Sequence, residues 1–360
     1  MINVMITTQS FDRLSMSNSD LTHSHTQAAA FTFIDLFAGV GGFHFALKAL
    51  GGTCVFSSEW DKDAQKTYLA NHGILPYGDI TLAETKAKIP ETFDILCAGF
   101  PCQAFSIAGY QKGFADSRGT LFFDIEQIAE KHRPKVIFLE NVKNLVSHDK
   151  GRTFQTILSI LDKLNYHVFY QVMNTAEYAN IPQNRERIFI VAFNKESHLN
   201  YEQFSFPSKI PLTKTIHDFI DSEKQDDKFY YDHSKYIDTL KEHICSKNTL
   251  YQWRRVYVRE NKNNLCPTLT ANMGTGGHNV PLLLDDYGIR KLTPKECFAF
   301  QGYDMNHFVL PPIANSKLYM QAGNSVSMPL VKRIAERILR VMYELTKKQT
   351  THLLTPSPQA

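Results

Sequence analysis

The sequence of 360 residues is long enough for two domains, and with 43% hydrophobic and 21% charged residues it can bury a substantial core, which excludes a globally disordered chain. The net charge of +3 excludes a strongly basic protein, so any contact with nucleic acid must come from local clustering of basic residues. The six cysteines form no CxxC pair, no secretory leader is evident and no apolar run reaches the roughly 20 residues of a membrane span, so we expect a soluble cytoplasmic protein with free thiols and no metal site.

The first half of the chain alternates between strand-like and helix-like segments. Residues 1–30 are rich in Ser, Thr, Asn and Gln and are predicted to be a flexible leader. Buried strands are then predicted at 31–37, 53–58, 93–98, 136–140, 167–173 and 187–193. Helices are predicted at 43–50, 61–71, 121–132 and 152–164. This alternation predicts an α/β fold with a mostly parallel sheet and helices on both faces.

The alternation stops after Phe193. Residues 195–287 are polar, aromatic and irregular, which predicts a second, smaller domain. A helix is predicted from Thr293 to Gln301 because Pro294 stands in its first turn, and a last helix is predicted from about Ser327 to Thr346. We therefore expect a first domain at 31–194, a second at 195–317, a segment at 318–347 that returns to the first domain, and a flexible tail at 348–360.

Two candidate catalytic residues follow two of these strands. Cys102 comes after the apolar run 93–98 and a Gly-Phe-Pro turn, and Glu140 comes directly after 136–139. Carboxyl ends of parallel strands share one sheet edge, where open α/β sheets bind ligands. A thiol nucleophile and an acid could therefore act there on one substrate. Either residue could also be structural, since a lone cysteine is usually a small buried hydrophobe.

A second group of residues predicts a pocket for an adenosine-bearing ligand. The turn Phe37-Ala38-Gly39-Val40-Gly41 lets a ligand approach the backbone, although such a turn is also a plain structural need. Glu59 suits a ribose with two free hydroxyls, Trp60 suits an adenine face, and Asp79 could accept a hydrogen bond from an adenine amino group. The turn reads FxGxG and no Walker motif is present, so S-adenosylmethionine fits better than NAD or ATP.

Over about residues 31–194 and 288–340, the chain resembles the bacterial cytosine-C5 DNA methyltransferases of restriction–modification systems. The family's motifs stand here in order as the FxGxG turn, Glu59-Trp60, Gly78-Asp79-Ile80, Pro101-Cys102-Gln103, Glu140-Asn141-Val142, Gln183-Asn184-Arg185-Glu186-Arg187 and Gly323-Asn324-Ser325-Val326. The resemblance implies a Rossmann-like, S-adenosylmethionine-dependent monomer in the bacterial cytoplasm. Its substrate would be cytosine C5 within a duplex DNA site of roughly four or five base pairs. Methylation would protect the DNA from a partner restriction endonuclease.

The resemblance also implies residue roles. Cys102 would add to cytosine C6 after the base has swung out of the duplex, and Glu140 would act at N3. Arg187 would contact the cytosine O2 and Arg185 would order the site, unless both belong to a surface strand that pairs with Glu186. The implied cofactor residues are Phe37, Gly39, Gly41, Glu59, Trp60, Asp79, Ile80, Pro101, Leu121, Asn324, Ser325 and Val326. Leu121 could equally be the apolar start of a helix. The sequence assigns no base for the C5 proton.

The second domain would be the family's target-recognition domain. Basic and aromatic residues alternate over 253–259, which suits contact with phosphates and entry into a groove, although a solvated strand face is the alternative. Thr268 and Leu269 followed by a glycine-rich loop are typical of the family's recognition element, and residues 103–120 have the composition of a mobile lid. The implied DNA contacts are Gln103, Ser106, Arg254, Arg255, Arg259, Thr268, Gly276 and Gly277. The recognised sequence is not predicted.

Two other functions stay open. One branch of the family methylates transfer RNA, although the sizeable region 195–287 argues for duplex DNA. A catalytically silent DNA-binding protein with the same fold is a different class. The presence of Cys102, Glu140 and Arg187 disfavours it.

Overall fold

The computed structural model describes residues 31–101, 121–254, 257–275 and 279–343. A six-stranded sheet with the strand order β2-β1-β3-β4-β6-β5 forms the centre of the molecule. Its strands are β1 (Phe31–Leu36), β2 (Gly52–Ser58), β3 (Ile95–Gly99), β4 (Val136–Val142), β5 (Tyr166–Asn174) and β6 (Glu186–Asn194). Strands β1 to β4 run parallel, whereas β6 is antiparallel to both of its neighbours, so the sheet is mostly parallel.

Helices cover both faces of this sheet. The helices are α1 (Gly42–Lys48), α2 (Lys62–His72), α3 (Ala83–Lys86), α4 (Leu121–His132), α5 (Arg152–Lys163), α6 (Thr175–Tyr178), α7 (Ile237–His243), α8 (Pro294–Phe300), α9 (Asn315–Asn324) and α10 (Met328–Tyr343). Alternate strand residues point to opposite faces. Phe33 of β1 therefore lies in the core formed with α1 and α10, while Ile34 lies in the core formed with α4 and α5.

Local sequence signals explain two of the helix boundaries. The carboxylate of Asp61 accepts hydrogen bonds from the backbone N–H groups of Asp63 (2.8 Å) and Ala64 (2.9 Å), which caps α2. Thr293 and Glu296 form a reciprocal capping box at the start of α8, with a proline in the first turn. These caps fix where the chain enters each helix.

A smaller antiparallel sheet with the order β10-β9-β7-β8 lies in the range of the expected second domain. Its strands are β7 (Tyr251–Arg254), β8 (Tyr257–Glu260), β9 (Leu282–Leu284) and β10 (Ile289–Lys291). The sheet packs with α7 in a small core of its own. Phe204, Leu269 and Phe298, from the same range of the chain, are part of the main core. Helix α9 crosses the boundary expected at residue 318. Within the described ranges no helix is both long and apolar enough to cross a bilayer.

Candidate active site

The carboxyl ends of β3 and β4 lie side by side. Gly99, the last residue of β3, pairs with Glu140 of β4, and the antiparallel β6 brings Arg187 opposite Val142. The Nε atom of Arg187 lies 3.1 Å from Oε1 of Glu140. Pro101 is exposed, and Cys102 lies outside the described residues, three positions after Gly99 in the chain. The carboxyl of Glu140 and the guanidinium of Arg187 therefore lie next to each other at this sheet edge, where the segment that carries Cys102 begins.

Glu140 is buried, with only 8% of its surface exposed. Arg187 lies close to Oε1 but out of line for a hydrogen bond, and no other described residue donates to that oxygen. Burial raises the pKa of Glu140, and the positive charges of Arg187 and Arg185 oppose the shift without cancelling it. A carboxyl group in this environment can hold a proton and donate a hydrogen bond.

Arg185 is wholly buried and bonds to backbone on two other segments. Its guanidinium donates to the carbonyls of Leu269 (2.8 Å), Gly323 (3.3 Å) and Ser325. It therefore ties the start of β6 to the segment around residue 269 and to the motif at 323–326. Burial lowers the pKa of Arg185, whereas the carbonyl oxygens that accept from its guanidinium stabilise the charged form.

Neither arginine pairs with the side chain of Glu186. Both oxygens of that carboxylate accept from Lys143 at 2.9 Å, and Arg187 donates only to the backbone carbonyl of Glu186. The alternative of a surface strand in which the two arginines pair with Glu186 is therefore wrong for the structure.

The glycine turn after β1 has the backbone that its sequence requires. Phe37, Gly39 and Gly41 all have positive φ angles, of 54°, 56° and 86°. A Cβ atom on Gly41 would lie 2.1 Å from Nε2 of His72, so only glycine fits there, whereas a Cβ on Gly39 would meet nothing within 4 Å. The backbone at Gly39 thus faces open space.

Glu59 ties this turn to the end of β2. Its Oε2 accepts from the N–H of Gly39 and its Oε1 from the N–H of Asp61, each at 2.8 Å. Burial raises the pKa of Glu59, and these two hydrogen bonds oppose the shift. Each oxygen keeps a further lone pair for another donor.

The other predicted cofactor residues of the first half of the chain differ in how exposed they are. Trp60 is 75% exposed, so its indole face is open, and Ile80 is buried. Asp79 is half-buried and its Oδ1 accepts from the N–H of Thr81 at 2.9 Å. Leu121 is half-buried at the first position of α4. The indole and the carboxylates supply the kinds of group that bind an adenine ring and ribose hydroxyls.

The motif Gly323-Asn324-Ser325-Val326 lies close to both the glycine turn and the end of β3. Asn324 ends α9 and is exposed, while Ser325 and Val326 are buried. A Cβ on Gly42 would lie 2.4 Å from Cγ2 of Val326, and a Cβ on Gly99 would lie 3.9 Å from its Cγ1. Val326 therefore lies between the glycine turn and the edge of β3. The hydroxyl of Ser325 is 2.6 Å from that of Tyr303, a buried contact that no motif in the sequence indicates.

The predicted DNA contacts are divided between described and undescribed parts of the chain. In the β7–β8 hairpin, Gln252 pairs with Arg259 and Arg254 with Tyr257, so these four side chains share one face. Arg254, Tyr257 and Arg259 are exposed there. Gln252 is not among the predicted DNA contacts, because its place on this face is set by the register of β7 with β8. Predicted DNA contacts outside the described residues are Gln103, Ser106, Arg255, Gly276 and Gly277.

Thr268, a predicted DNA contact, forms a hydrogen bond within the protein. Its hydroxyl donates to the carbonyl of Asn184 at 2.5 Å, and the residue is half-buried. The hydrogen of this hydroxyl therefore holds the segment around residue 268 against the loop before β6.

Solved structures share this fold. DNMT2 of Spodoptera frugiperda superposes with a TM-score of 0.68 at 17% identity, covering 86% of this chain and 99% of that one. Dnmt2 methyltransferase of S. pombe gives a TM-score of 0.65 at 16% identity, covering 88% of this chain and 100% of that one. The shared fold, a mostly parallel sheet with helices on both faces, confirms the predicted fold class.

Sequence comparison defines the family. The C-5 cytosine-specific DNA methylase family matches residues 31–340. Type II methyltransferase M.Bsp6I of Bacillus sp. (strain RFL6) is 52% identical over 313 residues, 85% of this chain and 98% of that one. M.HpaII of Haemophilus parainfluenzae is 46% identical over 330 residues, 88% and 91% of the two chains. The chain belongs to the C-5 cytosine-specific DNA methylase family. The predictions of the family, of DNA cytosine-C5 methyltransferase activity and of S-adenosylmethionine as cofactor are confirmed.

Proposed function

We propose that this enzyme methylates C5 of a cytosine that has left the duplex, within a short specific DNA sequence, through a covalent bond between Cys102 and cytosine C6. Cytosine C5 is a weak nucleophile, and a thiolate that adds at C6 turns it into a reactive enamine carbon. The base must leave the stack because the thiol cannot reach C6 inside the helix. The main support for the proposal is the position of the buried carboxyl of Glu140. Glu140 pairs with Gly99, and Cys102 follows Gly99 by three positions in the chain.

Glu140 and Arg187 are proposed to assist this addition. Electrons move from sulfur into the ring, and Glu140 supplies the proton that N3 then takes up. The raised pKa of Glu140 favours the protonated carboxyl that this role needs. Arg187, 3.1 Å away, would donate to the cytosine O2 and stabilise the negative charge on the ring. Once C5 carries the methyl group, a base removes the C5 proton and sulfur leaves C6.

The residues around the glycine turn are proposed to hold S-adenosylmethionine, which supplies an electrophilic methyl group when bound. The open space at Gly39, the exposed indole of Trp60 and the lone pairs of Glu59 support this assignment. Glu59 would accept from two ribose hydroxyls, and Asp79 from the adenine amino group. The other proposed contacts are Phe37, Gly41, Ile80, Pro101, Leu121, Asn324, Ser325 and Val326.

Residues 195–317 are proposed to recognise the DNA target. The exposed hairpin face with Arg254 and Arg259 supports this role, because guanidinium groups bind phosphates and guanine edges. The further proposed DNA contacts are Gln103, Ser106, Arg255, Thr268, Gly276 and Gly277. Residues 318–347 would complete the catalytic domain; the leader predicted at 1–30 and the tail predicted at 348–360 lie outside the described residues.

The cellular role is proposed from the relatives, which are named type II methyltransferases. The enzyme would act as a monomer in the bacterial cytoplasm and protect DNA from a partner restriction endonuclease. Digestion of methylated and unmethylated genomic DNA by an endonuclease of the same specificity would test the protective role.

The direct test is incorporation of label from S-adenosylmethionine into unmethylated duplex DNA, with bisulfite sequencing of the product and transfer RNA assayed in parallel. Label confined to cytosines of one short motif would support the proposal and identify the target. Label in transfer RNA alone would favour the RNA branch of the family. The absence of label from both, with cofactor bound, would favour a silent binding protein.

A further inference from the structure

The side chain of Asn141 connects β4 to the segment that leads to Cys102. Its Nδ2 donates to the carbonyl of Phe100 at 2.9 Å, and its Oδ1 accepts from the N–H of Val142 at 2.8 Å. Asn141 is 2% exposed, so both bonds are shielded from water. The pairing of β3 with β4 ends at Gly99, where the chain leaves the sheet. The side-chain amide of Asn141 supplies the next hydrogen bond between β4 and this segment.

We infer that Asn141 is a positioning residue that fixes the nucleophile Cys102 relative to the carboxyl of Glu140; this inference rests on the proposed function. Glu140 and Asn141 are consecutive on β4, and the backbone of Asn141 is held on its other side by pairing with Ile188 of β6. One rigid strand therefore carries both the catalytic carboxyl and the anchor for the approach to the thiol.

Pro101, the one residue between the anchored Phe100 and Cys102, makes this anchor effective. The ring of Pro101 fixes its own φ angle near −65° and restricts Phe100 to extended conformations. Phe100 is also held by its side chain, which is buried against Phe122 with ring centroids 5.7 Å apart. Few backbone torsions remain free between the anchored carbonyl and Cys102, so the hydrogen bond controls where the thiol begins its approach.

The chemistry is sensitive to this placement. Addition requires sulfur to meet C6 while Glu140 meets N3 of the same ring, and an error of about 1 Å in such a geometry can cost about 100-fold in rate. Without Asn141, the buried carbonyl of Phe100 would lose its donor and the segment would shift to find another. The effect should appear in bond formation rather than in the binding of DNA or cofactor.

The test uses the full-length enzyme and a duplex in which every cytosine is replaced by 5-fluorocytosine. After addition and methyl transfer the fluorine cannot leave C5 as a proton does, so the Cys–C6 bond persists and the adduct is counted on a denaturing gel. The variants are N141A and N141D; aspartate keeps the shape and the acceptor for Val142 but loses the donor to Phe100. Dissociation constants for DNA and S-adenosylmethionine are measured on the same preparations.

Asn194 offers a matched control at the opposite edge of the same sheet. It is also a buried asparagine, and it accepts from the N–H of Glu196 at 3.0 Å and donates to the carbonyl of Arg133 at 3.4 Å. N194D therefore makes the same chemical change without touching the approach to Cys102. The C102A variant tests the proposed function separately, because it should form no adduct at all.

We expect N141D to form adduct about tenfold or more slowly than wild type, with both dissociation constants within about threefold, and N194D to form adduct at the wild-type rate. If N141A binds the cofactor normally, it should form adduct as slowly as N141D. If N141A does not bind the cofactor, the adduct rate of N141D alone tests the inference. Wild-type adduct rates in N141D, or an equal loss in N194D, would overturn the inference. An adduct formed by C102A would instead overturn the proposed function.

Discussion

Glu59 is the residue through which the cofactor assignment can be tested most sharply. In the structure its carboxylate already accepts two backbone hydrogen bonds, from Gly39 and Asp61, each at 2.8 Å. The lone pairs that remain are proposed to accept from the two ribose hydroxyls. E59A removes all four interactions, whereas E59Q keeps one oxygen and presents an NH₂ group where the second acceptor stood.

The expected loss follows from these contacts. Two hydrogen bonds to a buried carboxylate at about 1–2 kcal/mol each give about 2–4 kcal/mol, which is about 30- to 1,000-fold in the dissociation constant of S-adenosylmethionine. E59Q should lie between E59A and wild type. The turn at Gly39 also loses an acceptor in E59A, so part of the loss reflects a less ordered backbone.

Isothermal titration calorimetry measures the affinity, and thermal unfolding without ligand shows whether the variants are folded. Glu130 is exposed on α4 and supplies a control, because E130A removes a carboxylate from the surface and should bind the cofactor normally. A folded E59A variant with wild-type affinity would refute the assignment of Glu59 to the cofactor site.

Three further predictions test the other parts of the account. R187K should lower the single-turnover methylation rate about tenfold or more while cofactor affinity is unchanged, because the compact ammonium group of lysine cannot both lie beside the Glu140 carboxyl and donate to the cytosine O2 as a planar guanidinium can; a wild-type rate would exclude the role of Arg187. Replacing Arg254 or Arg259 by glutamine should weaken DNA binding and lower the slope of log affinity against log salt by about 1 for each phosphate that the variant no longer neutralises; an unchanged slope and affinity would remove that residue from the interface. Burial lowers the pKa of His44 to about 4, so the folded state keeps the ring neutral while the unfolded chain takes up a proton below pH 6.5. The contribution of His44 to the free energy of unfolding should be complete above pH 6.5 and fall by about 3 kcal/mol towards pH 4, so urea unfolding of H44Q should depend less on pH over this window than that of the wild type; an identical dependence would contradict the assignment.

The sequence predicts the main sheet and the position of Glu140 because apolar runs mark buried strands and polar residues mark their ends. It does not give the direction of β6. A parallel neighbour needs a crossover of a dozen or more residues, and only the short helix α6 (Thr175–Tyr178) lies between β5 and β6. The antiparallel direction matters, because in a parallel β6 Arg187 would lie at the opposite edge of the sheet from Glu140.

The second sheet could not be predicted because its strands are only three or four residues long, too short for alternation to emerge. The same limit hides Gln252, whose place on the exposed face of the hairpin depends on the register with Arg259. Asn141 stands in the motif Glu140-Asn141-Val142, which is evident in the sequence. Its bond to Phe100 depends on how β3 and β4 pair, and that pairing is visible only in the folded chain.

The central claim is that Cys102 bonds to cytosine C6 next to Glu140. Proteolysis of the adduct with 5-fluorocytosine duplex and mass spectrometry of the peptides identifies which of the six cysteines carries the nucleotide. We predict that the peptide with Cys102 is modified, and that E140A forms this adduct much more slowly. Nucleotide on another cysteine, or efficient methylation without any protein–DNA adduct, would contradict the account.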